Sequence, residues 1–270
     1  MYQVIAIDLD ETLLNSKHKI SKRDLQSIHL ARRLGVKVVL ATGRGFKTVE
    51  QDLREMEIYD EPDEYVISFN GAVVTENKDS RILSIDHMDF DKISAIYKFG
   101  LDKDVCMHVY TVDTTYTYNL SEDEKNYCGE RLPLTEIFTD NIDFLKDTPI
   151  IKALFMNKNA AYLRELRQQM GDIIDGCEVS FSSNRYMEFN SQGINKGQGI
   201  RKLAEILHIG MDEIIAVGDN YNDLSMIKEA GLGIGVANVN PEIAEECDYI
   251  LKSTNDENPI TEVINKFILR

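Results

Sequence analysis

The sequence predicts an α/β protein whose parallel sheet is interrupted by an inserted α+β domain. Apolar strands alternate with amphipathic helices up to about residue 80 and again from about residue 191, an order that is typical of a parallel sheet. Between these segments, strand patterns follow one another across short turns, which favours antiparallel pairing. We therefore expect a core built from residues 1–80 and 191–270, and an inserted domain at residues 81–190.

Charge, cysteine content and hydropathy argue against several classes of protein. The 270 residues include 46 acidic and 30 basic side chains, for a net charge of −16, which argues against a nucleic-acid or anionic-membrane surface. The four cysteines are widely spaced and form no C-x-x-C pair, so a zinc knuckle is not expected. No apolar stretch reaches the length of about 18 residues that a membrane span needs. We therefore expect a cytoplasmic protein, as a monomer or small homo-oligomer.

The elements of the first core segment have local signals. Ser21 can cap a helix whose apolar residues recur at helical spacing until Gly35 ends it. The Asn70-Gly71 pair lies between two apolar runs and predicts a hairpin, with a phosphate contact as the lesser alternative. The other elements expected here are strands at 4–7, 36–41 and 65–69 and a helix at about 46–56.

The inserted region and the second core segment are predicted from the same kinds of pattern. Strands at 104–111 and 114–119, separated by the turn Val112-Asp113, indicate antiparallel pairing. The insert should also hold helices near 91–101 and 160–170 and strands near 150–156, 178–182 and 186–189. The second core segment should hold helices at 195–208, 224–230, 241–247 and from 260, with strands at 214–217, 232–236 and 249–251.

Polar side chains follow several strands of the predicted sheet. Asp8 and Asp10 come directly after the first strand, Thr42 follows the second, and Asp219 ends a later one. Lys196 lies at the start of a predicted helix. Because parallel strands all point the same way, groups that follow different strands meet at one edge of the sheet. We therefore expect these residues to converge although they are far apart in sequence.

The acidic residues at this edge indicate a magnesium site. Asp8 and Asp10 would repel each other unless a cation lies between them. Asp223 lies four residues after Asp219 and would share a face of the next helix. Carboxylate oxygens are the ligands that Mg²⁺ prefers. The alternative is that these acids cap turns and helices at solvated strand ends.

Other residues at the same edge could hold an anion. Thr42 offers a hydroxyl and Gly43 an unhindered N–H, and both can donate to a phosphate oxygen. The charge of Lys196 opposes the helix dipole unless an anion lies nearby. A helix cap at Thr42 and an exposed lysine at 196 are the alternatives. Arg44 could contact a phosphate or form a surface ion pair.

Four motifs together resemble those of a known family. In chain order they are D-L-D-E-T, A-T-G-R, I-N-K-G and G-D-N-Y-N-D. In this order, with an insertion between the second and third, they resemble the motifs of haloacid dehalogenase-like phosphatases of the Cof-type sugar-phosphatase branch. The resemblance implies a Rossmann-like parallel-sheet core with a mobile α+β cap domain. It also implies Mg²⁺ dependence and hydrolysis of small phosphorylated metabolites, while the net charge of −16 is the reason to expect neither nucleic acid nor membrane as a partner.

The resemblance implies a role for each matching residue. Asp8 looks like the nucleophile that forms an aspartyl-phosphate, and Asp10 looks like the general acid and base. Thr42 and Lys196 would complete the catalytic set by holding the phosphoryl oxygens. The Mg²⁺ ligands would be Asp8, the backbone carbonyl of Asp10, and Asp219, with Asp223 in support. The residues that contact the substrate would be Thr42, Gly43, Lys196 and Asn222.

One residue departs from the family pattern, and two other functions are alternatives. Glu11 stands where the family usually has glycine, and we expect a larger, charged residue there to affect rate and specificity more than the reaction class. A phosphomutase of the same superfamily would return phosphate to the sugar instead of to water. A receiver-like phospho-aspartate signalling module is the third alternative, but its acceptor acid normally follows a middle strand.

Overall fold

A computed structural model of the chain describes residues 2–129, 132, 134–182 and 184–269. Within these residues the chain forms two units. The first contains the segments up to Ile85 and from Asn195 onward, and the second contains Asp86–Ile194. The boundaries expected from the sequence lie near residues 81 and 190. None of the described helices is both long enough and apolar enough to cross a bilayer.

The elements are numbered in chain order. The strands are β1 (Val4–Ile7), β2 (Lys37–Ala41), β3 (Tyr65–Ser68), β4 (Val73–Glu76), β5 (Arg81–Ile85), β6 (Cys106–Thr111), β7 (Thr115–Tyr118), β8 (Leu134–Ile137), β9 (Ile150–Met156), β10 (Cys177–Ser182), β11 (Tyr186–Ser191), β12 (Ile214–Gly218), β13 (Leu232–Gly235) and β14 (Tyr249–Ile250). The α-helices are α1 (Lys22–Arg33), α2 (Glu50–Glu55), α3 (Phe90–Gly100), α4 (Glu122–Cys128), α5 (Ala160–Met170), α6 (Lys196–Leu207), α7 (Leu224–Glu229) and α8 (Pro259–Phe267).

The first unit is built around an eight-stranded sheet in the order β14-β13-β12-β1-β2-β3-β4-β5. The strands from β14 to β3 are parallel, as predicted, whereas β4 and β5 join antiparallel. All residues of β1 are buried, as expected for a central parallel strand that is covered on both faces. The carboxyl end of β1, which Asp8 follows, therefore lies in the middle of the sheet edge.

Helices cover this sheet through apolar side chains and one buried carboxylate. α6 packs Ile200 and Leu203 against β1 and its neighbours. α1 begins at the predicted cap, since Ser21 Oγ accepts the Asp24 N–H at 3.0 Å. The Asp24 carboxylate also accepts the Thr261 N–H at 2.7 Å. The α1 and α8 helices are thereby joined through a side chain that is fully buried.

The second core segment contains one wrong prediction. The helix expected at residues 241–247 is only a 3₁₀ turn, Ala244–Glu246. Cys247 leaves the helical region with an extended backbone, φ −84° and ψ 134°. The Asp248 N–H then donates to the Gly233 carbonyl at 2.9 Å. Pairing with β13 therefore ends the helical turn and leads the chain into β14.

The second unit holds a six-stranded sheet in the order β10-β11-β9-β6-β7-β8. Its neighbouring strands are antiparallel except β7 and β8, which are parallel. The predicted pairing of 104–111 with 114–119 is confirmed as β6 and β7, whereas α4 and β8 were not predicted. α3 and α5 pack on an apolar cluster that includes Met107, Phe155 and Phe189.

A buried polar cluster fixes α4 in the second unit. Glu124 of α4 is fully buried and accepts the Tyr186 hydroxyl at 2.8 Å and Arg185 Nη2 at 2.5 Å. His108 Nε2 lies 3.3 Å from the same carboxylate. The ion pair with Arg185 offsets part of the cost of burying the Glu124 charge. The cluster therefore holds α4 against the sheet of the second unit.

The predicted Asn70-Gly71 hairpin is confirmed, since Ser68 lies opposite Val73 in the antiparallel pair of β3 and β4.

Gly71→Ala should destabilise the first unit more than Gly35→Ala. Both glycines have positive φ, +98° and +85°, so alanine is strained at each by about 1 kcal/mol or more. A Cβ at Gly71 would also lie 2.1 Å from the Asn195 carbonyl oxygen, whereas one at Gly35 meets nothing within 4 Å.

We expect the free energy of unfolding to fall by about 3 kcal/mol for Gly71→Ala and by about 1 kcal/mol for Gly35→Ala. Urea denaturation of both variants beside the wild type measures the difference. Equal shifts in the urea midpoint would show that α6 does not approach this turn closely.

Candidate active site

Four buried polar residues lie at the carboxyl edge of the parallel strands. Asp8 follows β1, Thr42 follows β2, Asp219 follows β12, and Lys196 is the first residue of α6. Their exposed fractions are 5%, 1%, 5% and 0%, although charged residues are almost never fully buried unless they are paired. The residues that the sequence predicted to converge are therefore at one edge of the first unit.

Lys196 is held between two carboxylates. Its Nζ donates to Asp8 Oδ1 in a short contact and to Asp223 Oδ1 at 2.6 Å. Burial alone would lower the pKa of Lys196, but the two carboxylates outweigh burial and raise it. Asn195 fixes the first turn of α6 by accepting the Gln198 N–H at 2.9 Å. Lys196 is thus a fixed positive charge beside Asp8, and the alternative of an exposed lysine is wrong.

Asp223 organises the loop that follows β12. Its Oδ2 accepts the N–H groups of Asp219 and Asn220 at 2.9 and 3.0 Å, while Oδ1 accepts from Lys196. Asp219 has a different partner, because its Oδ1 accepts the Thr12 hydroxyl at 2.8 Å. Burial, together with the charge of Asp223, raises the pKa of Asp219 to about 6. At the Asp219 carboxylate, burial and neighbouring negative charge therefore outweigh the opposing effect of Lys196.

The acidic cluster fits a divalent cation. One carboxylate oxygen from each of Asp8, Asp219 and Asp223 lies within 4.8 Å of the others. Burial and the neighbouring acids raise the pKa of Asp8 above its ordinary value, against the opposing effect of Lys196. Since both oxygens of Asp223 are bonded within the protein, Asp8 and Asp219 are the carboxylates best placed to bind an ion. Carboxylate oxygens of this kind suit Mg²⁺.

Asp10 is paired with Arg44. Arg44 Nε donates to Asp10 Oδ2 at 2.9 Å, and Nη2 donates to Oδ1 in a short contact. Arg44 Nη1 also lies 4.0 Å from Asp52 Oδ2, and burial raises the pKa of Asp52 to about 6 in spite of this arginine. The structure thus shows the ion-pair alternative for Arg44, and its partner is the second carboxylate of the D-L-D-E-T motif.

The loop after β2 keeps the predicted donors at the same edge. Thr42 Oγ1 accepts the Arg44 N–H at 3.1 Å, so its hydroxyl proton remains available to another acceptor. Asn222 is exposed, and its Nδ2 lies 3.5 Å from Asn70 Oδ1. Thr42, Gly43 and Asn222, the predicted substrate contacts, thus follow β2 and β12 on the side of the sheet where Asp8 lies.

Glu11 has a left-handed backbone with φ +60° and ψ 8°. Glycine adopts this conformation at little cost, whereas other residues are strained by about 1 kcal/mol or more. Asn238 Nδ2 donates to the Glu11 carbonyl at 2.9 Å, which holds the loop in place. The Glu11 charge is one of the smaller causes that raise the pKa of Asp219. The departure from glycine therefore has both a backbone and an electrostatic consequence.

Sequence reasoning missed two residues at this edge. Thr12 is fully buried and bonds Asp219 across 207 residues of sequence. A signal for it existed, because Thr12 is the hydroxyl that ends the D-L-D-E-T motif. Asp52 had no such signal, because it lies on the short helix α2 among other charged residues and only packing buries it.

Glu11→Gly should raise the stability of the first unit, whereas Glu11→Gln should not. Glycine removes the left-handed strain of about 1 kcal/mol, partly offset by its greater freedom in the unfolded chain. Glutamine removes the same charge and keeps the strain. We expect the melting temperature to rise by up to about 3 °C for Glu11→Gly alone, measured by calorimetry. An equal rise in both variants would assign the cost to charge instead of backbone.

The chain is similar to known proteins over nearly its whole length. The model of the haloacid dehalogenase-like hydrolase family matches residues 5–264. The Bacillus subtilis protein named "Putative phosphatase YxeH" is 32% identical over 270 residues, which is 100% of this chain and 99% of that protein. A second B. subtilis protein, 5-amino-6-(5-phospho-D-ribitylamino)uracil phosphatase YcsE, is 27% identical over 99% of this chain and 96% of its own length.

A solved structure shows the same fold. The crystal structure of a haloacid dehalogenase-like hydrolase from Bacteroides thetaiotaomicron is 27% identical, with a TM-score of 0.86, and the alignment covers 98% of this chain and 99% of that one. The predicted α/β architecture and the resemblance drawn from the four motifs are confirmed. The chain belongs to the haloacid dehalogenase-like hydrolase family.

Proposed function

We propose that the chain is a magnesium-dependent phosphatase that hydrolyses small phosphorylated metabolites, such as sugar phosphates, through an aspartyl-phosphate on Asp8. The fully buried Lys196 between Asp8 and Asp223, beside Asp219, is the observation that carries the proposal. A fixed cation next to a carboxylate cluster supports the binding of an anionic group together with a divalent ion. A phosphate monoester is a substrate of that kind.

Asp8 and Asp10 divide the chemistry into two displacements. In the first, an Asp8 oxygen bonds to phosphorus while the bond from phosphorus to the leaving oxygen breaks, and Asp10 gives that oxygen a proton. In the second, Asp10 takes a proton from a water whose oxygen bonds to phosphorus while the bond from phosphorus to the Asp8 oxygen breaks, which releases inorganic phosphate and restores the Asp8 carboxylate. Because both Asp10 oxygens accept hydrogen bonds from Arg44, donation of a proton from Asp10 to the leaving oxygen requires this ion pair to separate.

The remaining residues hold the phosphoryl group. Lys196, the Thr42 hydroxyl and the Gly43 N–H would donate to its oxygens, with Asn222 at the outer side. Each such donor stabilises charge that is spread over the phosphoryl oxygens in the transition state. Lys196 can do so without reorganisation, because its two carboxylate partners already fix its position.

Magnesium would be held by Asp8, the backbone carbonyl of Asp10, and Asp219, while Asp223 fixes the loop. The bound ion supplies positive charge that neutralises phosphoryl oxygens. Phosphate monoesters require a barrier reduction of more than about 20 kcal/mol. One general acid supplies roughly 10²- to 10⁴-fold, so Asp10 alone is insufficient and the charges at this edge must act together.

The relatives support a small substrate, and the cysteines support a cytoplasmic location. One of the relatives is named for hydrolysis of a phosphorylated ribitylamino uracil, which is a phosphate ester of a small metabolite. We infer that this chain takes the same broad class. Its four free cysteines, two of them buried, support a cytoplasmic location, where thiols stay reduced.

A screen of phosphorylated sugars and other metabolites for released inorganic phosphate, with Mg²⁺ present, tests the function. We expect hydrolysis of at least one ester class. A phosphomutase would instead transfer the phosphoryl group between sugar hydroxyls and require a bisphosphorylated activator. Phosphate transfer to sugar without release to water would therefore replace the phosphatase proposal.

Asp8→Asn should abolish turnover while leaving the fold intact. The carboxamide keeps an acceptor for Lys196 but lacks the nucleophilic carboxylate. Phosphate release and circular dichroism measure the two effects, and Asp79→Asn on an exposed turn is the matched control. Retention of more than a few per cent of activity by Asp8→Asn would contradict a covalent intermediate on this residue.

EDTA should silence the enzyme, and Mg²⁺ should restore it. Asp219→Asn should raise the Mg²⁺ concentration for half-maximal binding by more than about tenfold, because it replaces a charged oxygen ligand with a neutral one. Isothermal titration with Mg²⁺ measures this independently of turnover, with Asp79→Asn again as the control. Full turnover in metal-free buffer, or unchanged Mg²⁺ affinity of Asp219→Asn, would refute the assigned site.

A further inference from the structure

The loop between β3 and β4 has an unusual backbone. Phe69, Asn70 and Gly71 have φ of +51°, +54° and +98°, so three consecutive residues are left-handed. Glycine adopts this region readily and asparagine tolerates it, but phenylalanine is a clear outlier there. A strained residue of this kind persists only when its surroundings impose it. A four-residue hairpin loop is more often built around a type I turn, which needs no such run.

Contacts on two sides impose this conformation. On one side, the Phe69 and Asn70 N–H groups donate to the Arg44 and Thr42 carbonyls, both at 2.9 Å. On the other side, Gly71 lies so close to the first turn of α6 that a Cβ would meet the Asn195 carbonyl oxygen at 2.1 Å. The loop is therefore wedged between the Thr42–Arg44 segment and the start of the helix that carries Lys196.

The Asn70 carboxamide lies among residues assigned to phosphate binding. A Cβ at Gly43 would be 3.1 Å from Asn70 Oδ1 and 3.4 Å from Nδ2, so the carboxamide packs directly against the Gly43 backbone. Asn70 Oδ1 faces Asn222 Nδ2 at 3.5 Å. Asn70 is half-buried, and within the described residues its Nδ2 has no hydrogen-bond acceptor.

We propose that Asn70 is a further substrate-binding residue, whose Nδ2 donates to an oxygen of the phosphoryl group while its Oδ1 holds Asn222. This inference rests on the proposed function, because it assigns one more contact to the same phosphate site. A carboxamide offers a donor and an acceptor at once, which allows Asn70 to face an anion and a neighbouring amide together. The strained loop is the means by which β3 contributes a side chain to this edge.

The competing explanation is that asparagine stands here only because it tolerates a left-handed backbone. Asn258 provides a matched control for that explanation. It is also half-buried and left-handed, with φ +63°, and its side chain makes no capping hydrogen bond at the start of α8. Asn70→Gly and Asn258→Gly therefore remove the same carboxamide from the same backbone region, and glycine fits both positions.

Titration of the magnesium-loaded protein with inorganic phosphate, followed by calorimetry, tests the proposal without requiring turnover. We expect Asn70→Gly to weaken phosphate binding by about tenfold or more, the usual effect of losing a hydrogen bond to a charged group. Asn258→Gly should stay within about twofold of the wild type, since Asn258 is not among the residues assigned to phosphate binding. Melting temperatures of both variants report whether the fold is kept.

Asn70→Asp separates the two halves of the carboxamide. It keeps an acceptor for Asn222 but loses the donor and adds a negative charge, so phosphate binding should be at least as weak as in Asn70→Gly. Recovery of wild-type affinity in Asn70→Asp, or binding within about twofold of the wild type by a folded Asn70→Gly, overturns the proposal. A wild-type protein that binds phosphate through Asn70 but hydrolyses no ester would instead refute the proposed function and leave this inference standing.

Discussion

The ion pairs of Lys196 with Asp8 and Asp223 are the constraint on which the rest of the site depends. A fully buried ammonium group is stable only when its charge is paired, and here two carboxylates from different loops pair it. The two ion pairs therefore hold the end of β1, the start of α6 and the loop after β12 close together. They also leave more negative than positive charge in the pocket, which is the condition that a divalent cation satisfies.

Part of the chain's strained backbone lies at the same edge of the sheet. Glu11, Phe69 and Asn70 are left-handed residues other than glycine, and they lie in the loops that follow β1 and β3. Strain of this kind must be offset by the packing of the surrounding elements. The central parallel strands can provide this packing, because they are buried on both faces. Their fixed position restricts the conformations that the loops at their ends can adopt. A rigid sheet with strained loops at its carboxyl edge positions polar groups more accurately than mobile loops would.

The two carboxylates of the D-L-D-E-T motif have different electrostatic surroundings. Asp8 is buried beside Lys196, whereas Asp10 is half-exposed and paired with Arg44. Two acids one residue apart thereby have different environments, and environment is what separates a nucleophile from a proton carrier. Arg44 also approaches Asp52, a buried carboxylate with a raised pKa. The guanidinium group that binds Asp10 therefore has a second carboxylate beside it.

The sequence by itself determined the alternation of strands and helices, and it placed Asp8 and Asp219 at strand ends, because buried parallel strands are continuous apolar runs that stop abruptly. It could not determine the burial of Lys196, whose local pattern is equally that of an exposed lysine. That depends on Asp8, 188 residues away. It also failed at residues 241–247, where pairing with β13 outweighs helix formation. Contacts between distant segments decided which polar groups are paired, and periodicity along the chain carries no information about such contacts.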